Sequence, residues 1–197
     1  EKIQEYCKKN RVSPNILMAG LLGMAFTKYC QHSNSAYIFG YNGRNSSQLK
    51  DTFGYIATTL MAYCYVGDYD SFSKYLQEFQ KEIMDLMIFP TMPLIQLSEK
   101  CMDILSSAYI YQPLDEDTFE IGGTVAKGTF LEDNQPSDSL AVFQAEETPS
   151  GIRWVLDYHG ELYSEEKMHA LLEDINHMLN IALETDDMKT ILALKEQ

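Results

Sequence analysis

Positive charge is scarce in this chain. Its 197 residues hold 15 lysines and arginines against 29 aspartates and glutamates, a formal net charge of −14. Nucleic acid is excluded as a partner, because binding a phosphate backbone needs a basic stripe that displaces counterions. An anionic membrane surface is disfavoured on the same ground. Long apolar runs are missing too: the longest, Ile16 to Phe26, has 11 residues, whereas a membrane-spanning helix needs about 20. Cysteine is sparse and scattered (Cys7, Cys30, Cys64, Cys101), with no Cys-x-x-Cys pair. That pattern favours reduced thiols in a cytoplasmic protein over a disulfide framework. No two of the four histidines are adjacent, and His169 and His177 stand eight apart. Metal pairs on one helix face are four apart, so no metal site is expected. Asp115-Glu116-Asp117 lacks the glycine and terminal glutamate of a calcium loop. Nothing at the start reads as a signal peptide, and without secretion Asn45-Ser46-Ser47 is a turn rather than a glycosylation acceptor.

What is present is globular. Apolar residues make up 45% and charged residues 22%, enough for one domain or one large lobe with its own core. Residues 1–9 read as a short helix closed by Asn10 in the left-handed region. The chain begins at Glu1 with Ile3, Tyr6 and Cys7 already at helical spacing, which suggests a cut at a lobe boundary. Ser13-Pro14 is a strong helix start, and the helix from Pro14 to about Tyr29 is apolar on nearly every side, hence buried. Ala36 to Gly40 and Thr58 to Val66 read as strands, with a polar loop from Tyr41 to Asp51. Asp70-Ser71 caps a helix from Phe72 to about Ile88, whose Phe72, Tyr75, Leu76, Phe79, Ile83, Leu86 and Met87 follow the i, i+3, i+4, i+7 rule.

Phe89 to Pro93 breaks that helix, and a short helix around Leu94 to Met102 follows. Ser106 to Gln112 is a strand, and Asp115 to Pro136 is irregular, with Thr118 to Ile121 as an edge strand. Ser139 to Ala145 and Ile152 to Tyr158 form a hairpin across Thr148-Pro149-Ser150-Gly151. Their alternation puts Leu140, Val142 and Gln144 on one face, and likewise Ile152, Trp154 and Leu156. Ser164 caps a last helix to about Leu183, and Ile191 to Leu194 is a short apolar clasp. The expected fold is a layered α/β (α+β) sandwich, a mixed sheet flanked by helices.

Gly43-Arg44-Asn45, then Gly54-Tyr55-Ile56-Ala57-Thr58-Thr59, are the most informative residues. With Val12 to Leu17, Tyr37 to Gly40, the Asp138 to Val142 and Trp154 to Tyr158 hairpin and Leu162-Tyr163-Ser164, they occur in the order seen in one family. The chain resembles the C-terminal lobe of the condensation domains of non-ribosomal peptide synthetases, over essentially its whole length. The family usually reads Gly-Arg-Asn and then Gly-Phe-Phe-Val-Asn-Thr. The resemblance implies one lobe, residues 1–197, of a chloramphenicol-acetyltransferase-like fold whose two lobes meet in a V. The family's His-His-x-x-x-Asp-Gly signature belongs to the other lobe and is absent here.

The implied function is amide bond formation between acyl groups held as thioesters on carrier proteins. The fragment itself would be inactive, would bind no cofactor, and would meet its substrates on the phosphopantetheine arms of the carriers. Ester formation by a related acyltransferase and a non-catalytic docking or scaffold module are the alternatives. Implied partners are the N-terminal lobe and peptidyl or acyl carrier proteins, with a dimer through the exposed seam as a further expectation. Departures from the family are Thr58 in place of its Asn, and Phe89 to Ile95 where it has His-Gln-Asp-x-Pro-Phe-Glu.

Each candidate residue has a plainer reading. Arg44 and Asn45 shape the seam by resemblance, or form a surface turn held by its own hydrogen bonds. Gly54, Tyr55, Thr58 and Thr59 face the substrate tunnel by resemblance, or are a strand start chosen for β-propensity. Asp138 is expected to be structural. Lys8, Lys9 and Arg11 offer a carrier-docking patch, or are cations that suit a helix C-terminus, which is the preferred account. No residue of this lobe is expected to be catalytic.

Overall fold

A computed structural model describes residues 1–44, 47–50, 52–88, 107–113, 118–127 and 141–193. The fold is organised around one helix. Ser13 caps it, its Oγ accepting from the Ile16 N–H at 3.2 Å, and Pro14 occupies the first turn of α2 (Pro14–Cys30). Leu17, Met18, Leu21, Leu22 and Met24 of α2 are all fully buried. Burying each such side chain stabilises by about 1.5–3 kcal/mol, so this helix is the centre of the core. It runs against a five-stranded sheet of β1 (Ser35–Tyr41), β2 (Thr58–Cys64), β3 (Ser107–Gln112), β6 (Ala141–Thr148) and β7 (Gly151–Asp157), in the order β2-β1-β3-β6-β7. The three inner strands β1, β3 and β6 are parallel, and the edge strands β2 and β7 are antiparallel to their neighbours.

One face of the sheet carries the core. Register aligns Tyr37 with Ala62, Phe39 with Tyr109, Tyr109 with Phe143, and Phe143 with Leu156. Three tyrosine hydroxyls on or beside this face find carbonyls of α2: Tyr37 on Ala19 at 2.7 Å, Tyr75 on Gly20 at 3.2 Å and Tyr109 on Asn15 at 3.1 Å. Buried hydroxyls need such partners. α1 (Lys2–Asn10), α4 (Phe72–Ile88) and α5 (Glu165–Ala182) complete the helical layer. Gly23 lets α2 approach β2: a Cβ there would lie 2.3 Å from Cys64 Sγ.

Several boundaries differ from the sequence reading. Asn10 is the last helical residue of α1, and it is Arg11 that takes the left-handed conformation at φ 58°. Within the polar loop, Ser47–Lys50 make one helical turn, α3. After β2 the chain turns through a 3-10 segment, Val66–Asp68. The Thr118–Ile121 strand, β4, pairs with β5 (Thr124–Lys127) across Gly122-Gly123 as a separate hairpin. The turn needs positive φ at both glycines, 57° and 80°, which is the type I′ preference. On β6, Val142 and Gln144 do share a face, but the core side is Ala141, Phe143 and Ala145. The expected helix around Leu94 to Met102 falls outside the described residues.

The C-terminal clasp is longer than its apolar residues suggest. Asp186 caps α4 from the other end of the chain: its carboxylate accepts from the Ser73 N–H at 2.7 Å and the Ser71 hydroxyl at 2.5 Å. Backbone bonds Phe72 N–H to Asp186 O and Met188 N–H to Asp70 O flank it. Asp187 then caps α6 (Met188–Leu192), which buries Met188 and Ile191. Among the described residues no helix is long and apolar enough to cross a membrane.

Candidate functional site

The direction of the strands defines where chemistry would sit. Because β1, β3 and β6 are parallel, their C-terminal ends share one edge with the N-terminal ends of β2 and β7. Open α/β sheets place ligands along such an edge. Gly43, Arg44, Gly54 and Tyr55 all belong to the connection between β1 and β2 there, and Thr58 and Thr59 open β2. The sequence motif therefore converges on one feature.

Arg44 organises that connection. One guanidinium nitrogen, Nη1, donates to the carbonyls of Leu49 at 2.8 Å and Thr52 at 2.7 Å, and Nη2 donates to the carbonyl of Gly54 at 3.1 Å. Its own N–H donates to Asn42 Oδ1 at 3.0 Å. A planar fork suits several carbonyls where an ammonium would not. Gly43, at φ 71°, packs under Ile56: a Cβ would stand 2.3 Å from the Ile56 carbonyl oxygen. The Gly-Arg pair is thus the clamp of the loop that displays Gly54 and Tyr55. Gly54 has φ 138° and open space around it, so its glycine requirement is conformational.

Thr58 and Thr59 point to opposite faces, as neighbours in a strand must. Thr58 is opposite Tyr41 in the ladder and shares the core face with Leu60, whereas Thr59 is exposed and shares the outer face with Tyr63. Only Thr59 of the two can line a surface outside the helical layer. Asn45 and Asp138 lie outside the described residues. Lys8, Lys9 and Arg11 are exposed at the end of α1, on the far side of the motif in the sequence, and form no ion pair among the described residues.

Among the described residues, two clefts flank the sheet. One, of about 300 Å³, lies on the same strand-end edge, between α1, Pro14 at the start of α2 and the turn from Glu147 to Ile152. Beside it the Tyr111 hydroxyl donates to Glu147 Oε1; burial pushes the Tyr111 pKa up, and the bonded carboxylate adds to the rise. The other, of about 350 Å³, lies at the opposite end of the sheet, walled by Phe26, Phe143, Met168 and Leu171 with Cys30 and His32 at its rim. Neither contains an arrangement of nucleophile and base held by hydrogen bonds. Burial raises the thiols of Cys7 and Cys64 to about 11, so both are protonated and inert near neutrality. No group of three or more metal-ligating side chains occurs among the described residues.

Sequence reasoning missed Asp186, which no local signal marks.

The sequence profile of the condensation domain matches residues 1–191, and the chain belongs to the condensation-domain family. No curated protein matches it by sequence. Solved structures agree on the fold. The holo form of AB3403, a four-domain nonribosomal peptide synthetase bound to AMP and glycine, superposes with a TM-score of 0.80 at 12% identity, covering 98% of this chain and 16% of that one. The first condensation domain of the CDA synthetase gives 0.74 at 12% identity, over 98% of this chain and 44% of that one. The X-domain in complex with OxyB from teicoplanin biosynthesis gives 0.73 at 13% identity, over 99% and 46%. The chain thus spans less than half the length of these structures. At such identities the likeness shows the fold alone.

Proposed function

We propose that this chain is the C-terminal lobe of a condensation domain whose intact form joins two acyl groups, carried as thioesters on carrier proteins, by amide bond formation. One observation carries the reading: the family match runs through 191 residues, yet no two histidines are adjacent anywhere in the sequence. The paired-histidine signature that the family resemblance implies must come from a companion lobe. This lobe's contribution is then positional. It supplies the strand-end edge, the loop clamped by Arg44, and Thr59 on the outer face, along which an extended phosphopantetheine arm would pass. Tightly held hydrogen-bonding groups at a seam lower a barrier by orienting reactants rather than by exchanging protons. Carrier proteins and the companion lobe are the partners of this reading, the cytoplasm is its compartment, and no cofactor is bound by the lobe itself. Lys8, Lys9 and Arg11 remain a docking candidate for an acidic carrier.

The test is turnover. The longer protein should condense an aminoacyl carrier with an amine acceptor, and the 197-residue chain alone should not; turnover by the short chain overturns the reading. Offering an alcohol acceptor in parallel separates amide from ester formation. A second reading has its own support. An X-domain that shares this fold was solved in complex with another protein, OxyB, and Thr58 departs from the family's Asn. A non-catalytic recruiting module would bind a partner and leave both acceptors untouched.

A further inference from the structure

The β1–β2 connection carries two aromatic rings that are almost fully exposed. Phe53 is 104% exposed and Tyr55 93%. Single exposed hydrophobics are ordinary. What distinguishes this pair is the backbone beneath it. Arg44 grips the carbonyls of Leu49, Thr52 and Gly54, and Gly43 abuts Ile56. The two rings flank Gly54 on a segment held at both ends. Each ring offers about 200 Å² of surface to a partner, and covering a ring on a fixed backbone costs little conformational freedom, which is how interface anchors work. Charge points the same way. Between Tyr6 and Gly67 the sequence holds one acidic residue, Asp51, out of its 29. This region can be covered with little desolvation of carboxylates, a process that is otherwise costly. The exposed side of β2 continues the surface with Thr59 and Tyr63, the latter 51% exposed.

We propose that Phe53 and Tyr55 anchor this chain against the companion lobe of its own domain, both rings entering an apolar cleft on that lobe. The proposal rests on the reading of the chain as one lobe. The occupant follows from length. The condensation domain of the CDA synthetase matches 98% of this chain with 44% of its own; on the one-lobe reading, a companion of similar size would be tethered in the same polypeptide. A tethered partner is present at high effective concentration and keeps the rings covered permanently. A carrier that docks and leaves would expose them in every cycle.

Hydroxyl-radical footprinting of the 197-residue chain and of the longer protein containing it provides the test. Oxidation of Phe53 and Tyr55 should fall about fivefold or more in the longer protein, as expected for the desolvated centre of an interface, while Ile121 and Leu162 stay equally labelled. Unchanged labelling of both rings with protection at Thr59 and Tyr63 overturns the anchor and leaves the one-lobe reading standing. No protection anywhere overturns the one-lobe reading itself. Protection in the short chain that grows with its own concentration assigns the rings to self-pairing and also overturns the anchor. As a second measurement, Phe53→Ser with Tyr55→Ser should leave the Tm of the short chain unchanged and lower that of the longer protein; an equal Tm in the longer protein refutes the proposal.

Discussion

Removing Arg44 should release the β1–β2 connection without unfolding the protein. The guanidinium makes three hydrogen bonds to backbone carbonyls, at 2.7, 2.8 and 3.1 Å, and two of the three are solvent-exposed. A typical net contribution is about 0.5–1.5 kcal/mol per bond. Placing the exposed pair at the low end gives about 2 kcal/mol for the clamp. That energy is local, because the loop contributes nothing to the buried core. Arg44→Ala should therefore leave the global Tm within about 2 °C but open the loop. The readout is hydrogen exchange at Thr52, whose N–H donates to the Leu49 carbonyl at 3.3 Å. An opening made 2 kcal/mol easier accelerates exchange about 30-fold. Arg44→Lys keeps the charge but cannot span three carbonyls, and should give an intermediate rate. If Arg44→Ala leaves exchange at Thr52 unchanged, or if Lys restores it fully, the clamp is not what holds the loop.

Gly23→Ala should destabilise the protein, because its Cβ would stand 2.3 Å from Cys64 Sγ in a fully buried site. An overpacking cost of about 1–3 kcal/mol exceeds the helix-propensity gain of about 1 kcal/mol, so calorimetry should show a lower Tm, with Gly160→Ala, which meets nothing within 4 Å, as the neutral control. Acid should loosen the C-terminal clasp. Burial alone would raise the pKa of Asp186, but hydrogen bonds from Ser71 and Ser73 outweigh it and hold the carboxyl below 3.8; bonds from Thr190 do the same for Asp187. Depressed pKa values contribute stability that is complete above the unfolded value and lost as pH falls through the folded one. The Tm difference between the wild type and Asp186→Asn should therefore be constant from pH 7 to about 5 and shrink below about pH 4; a difference that grows on acidification refutes the assignment. Lys8→Glu with Lys9→Glu should leave carrier binding unchanged if these cations serve only the end of α1, and weaken it, measured by titration calorimetry, if they dock a carrier.

What was legible in the sequence is what local chemistry decides. Ser13-Pro14 fixes the start of α2 through a cap and a preset φ. The spacing of Phe72, Tyr75, Leu76, Phe79 and Ile83 marks the buried stripe of α4. What was not legible depends on residues far apart in the chain. Asp186 bonds Ser71, 115 residues earlier at the start of α4, and no local window contains both partners. β6 carries Val142 among the polar residues of its outer face, and the register of Phe143 with Tyr109 places Ala141, Phe143 and Ala145 on the core side. For the site, the motif located the loop, but the role of Arg44 lay in where its fork points. Three carbonyls of its own connection occupy it, which made the plain structural reading of that side chain the correct starting point for any functional one.

On the proposed one-lobe reading, the layering would let half of a two-lobe domain be ordered on its own while its function waits for a companion. α2 and the helices beside it bury one face of the sheet, from Tyr37 through Tyr109 to Phe143, so folding is satisfied on that side without a companion. The opposite side of β2 presents Thr59 and Tyr63, and the strand-end edge presents Phe53 and Tyr55. On that reading stability and function fall on different surfaces. A substitution on the helical face acts through the core and should be felt equally by the short chain and the longer protein. A substitution on the edge loop changes little in the short chain and matters only where a second lobe meets it. That division makes the short chain a direct control for folding in every experiment on the seam: any effect that appears in the longer protein alone belongs to the junction.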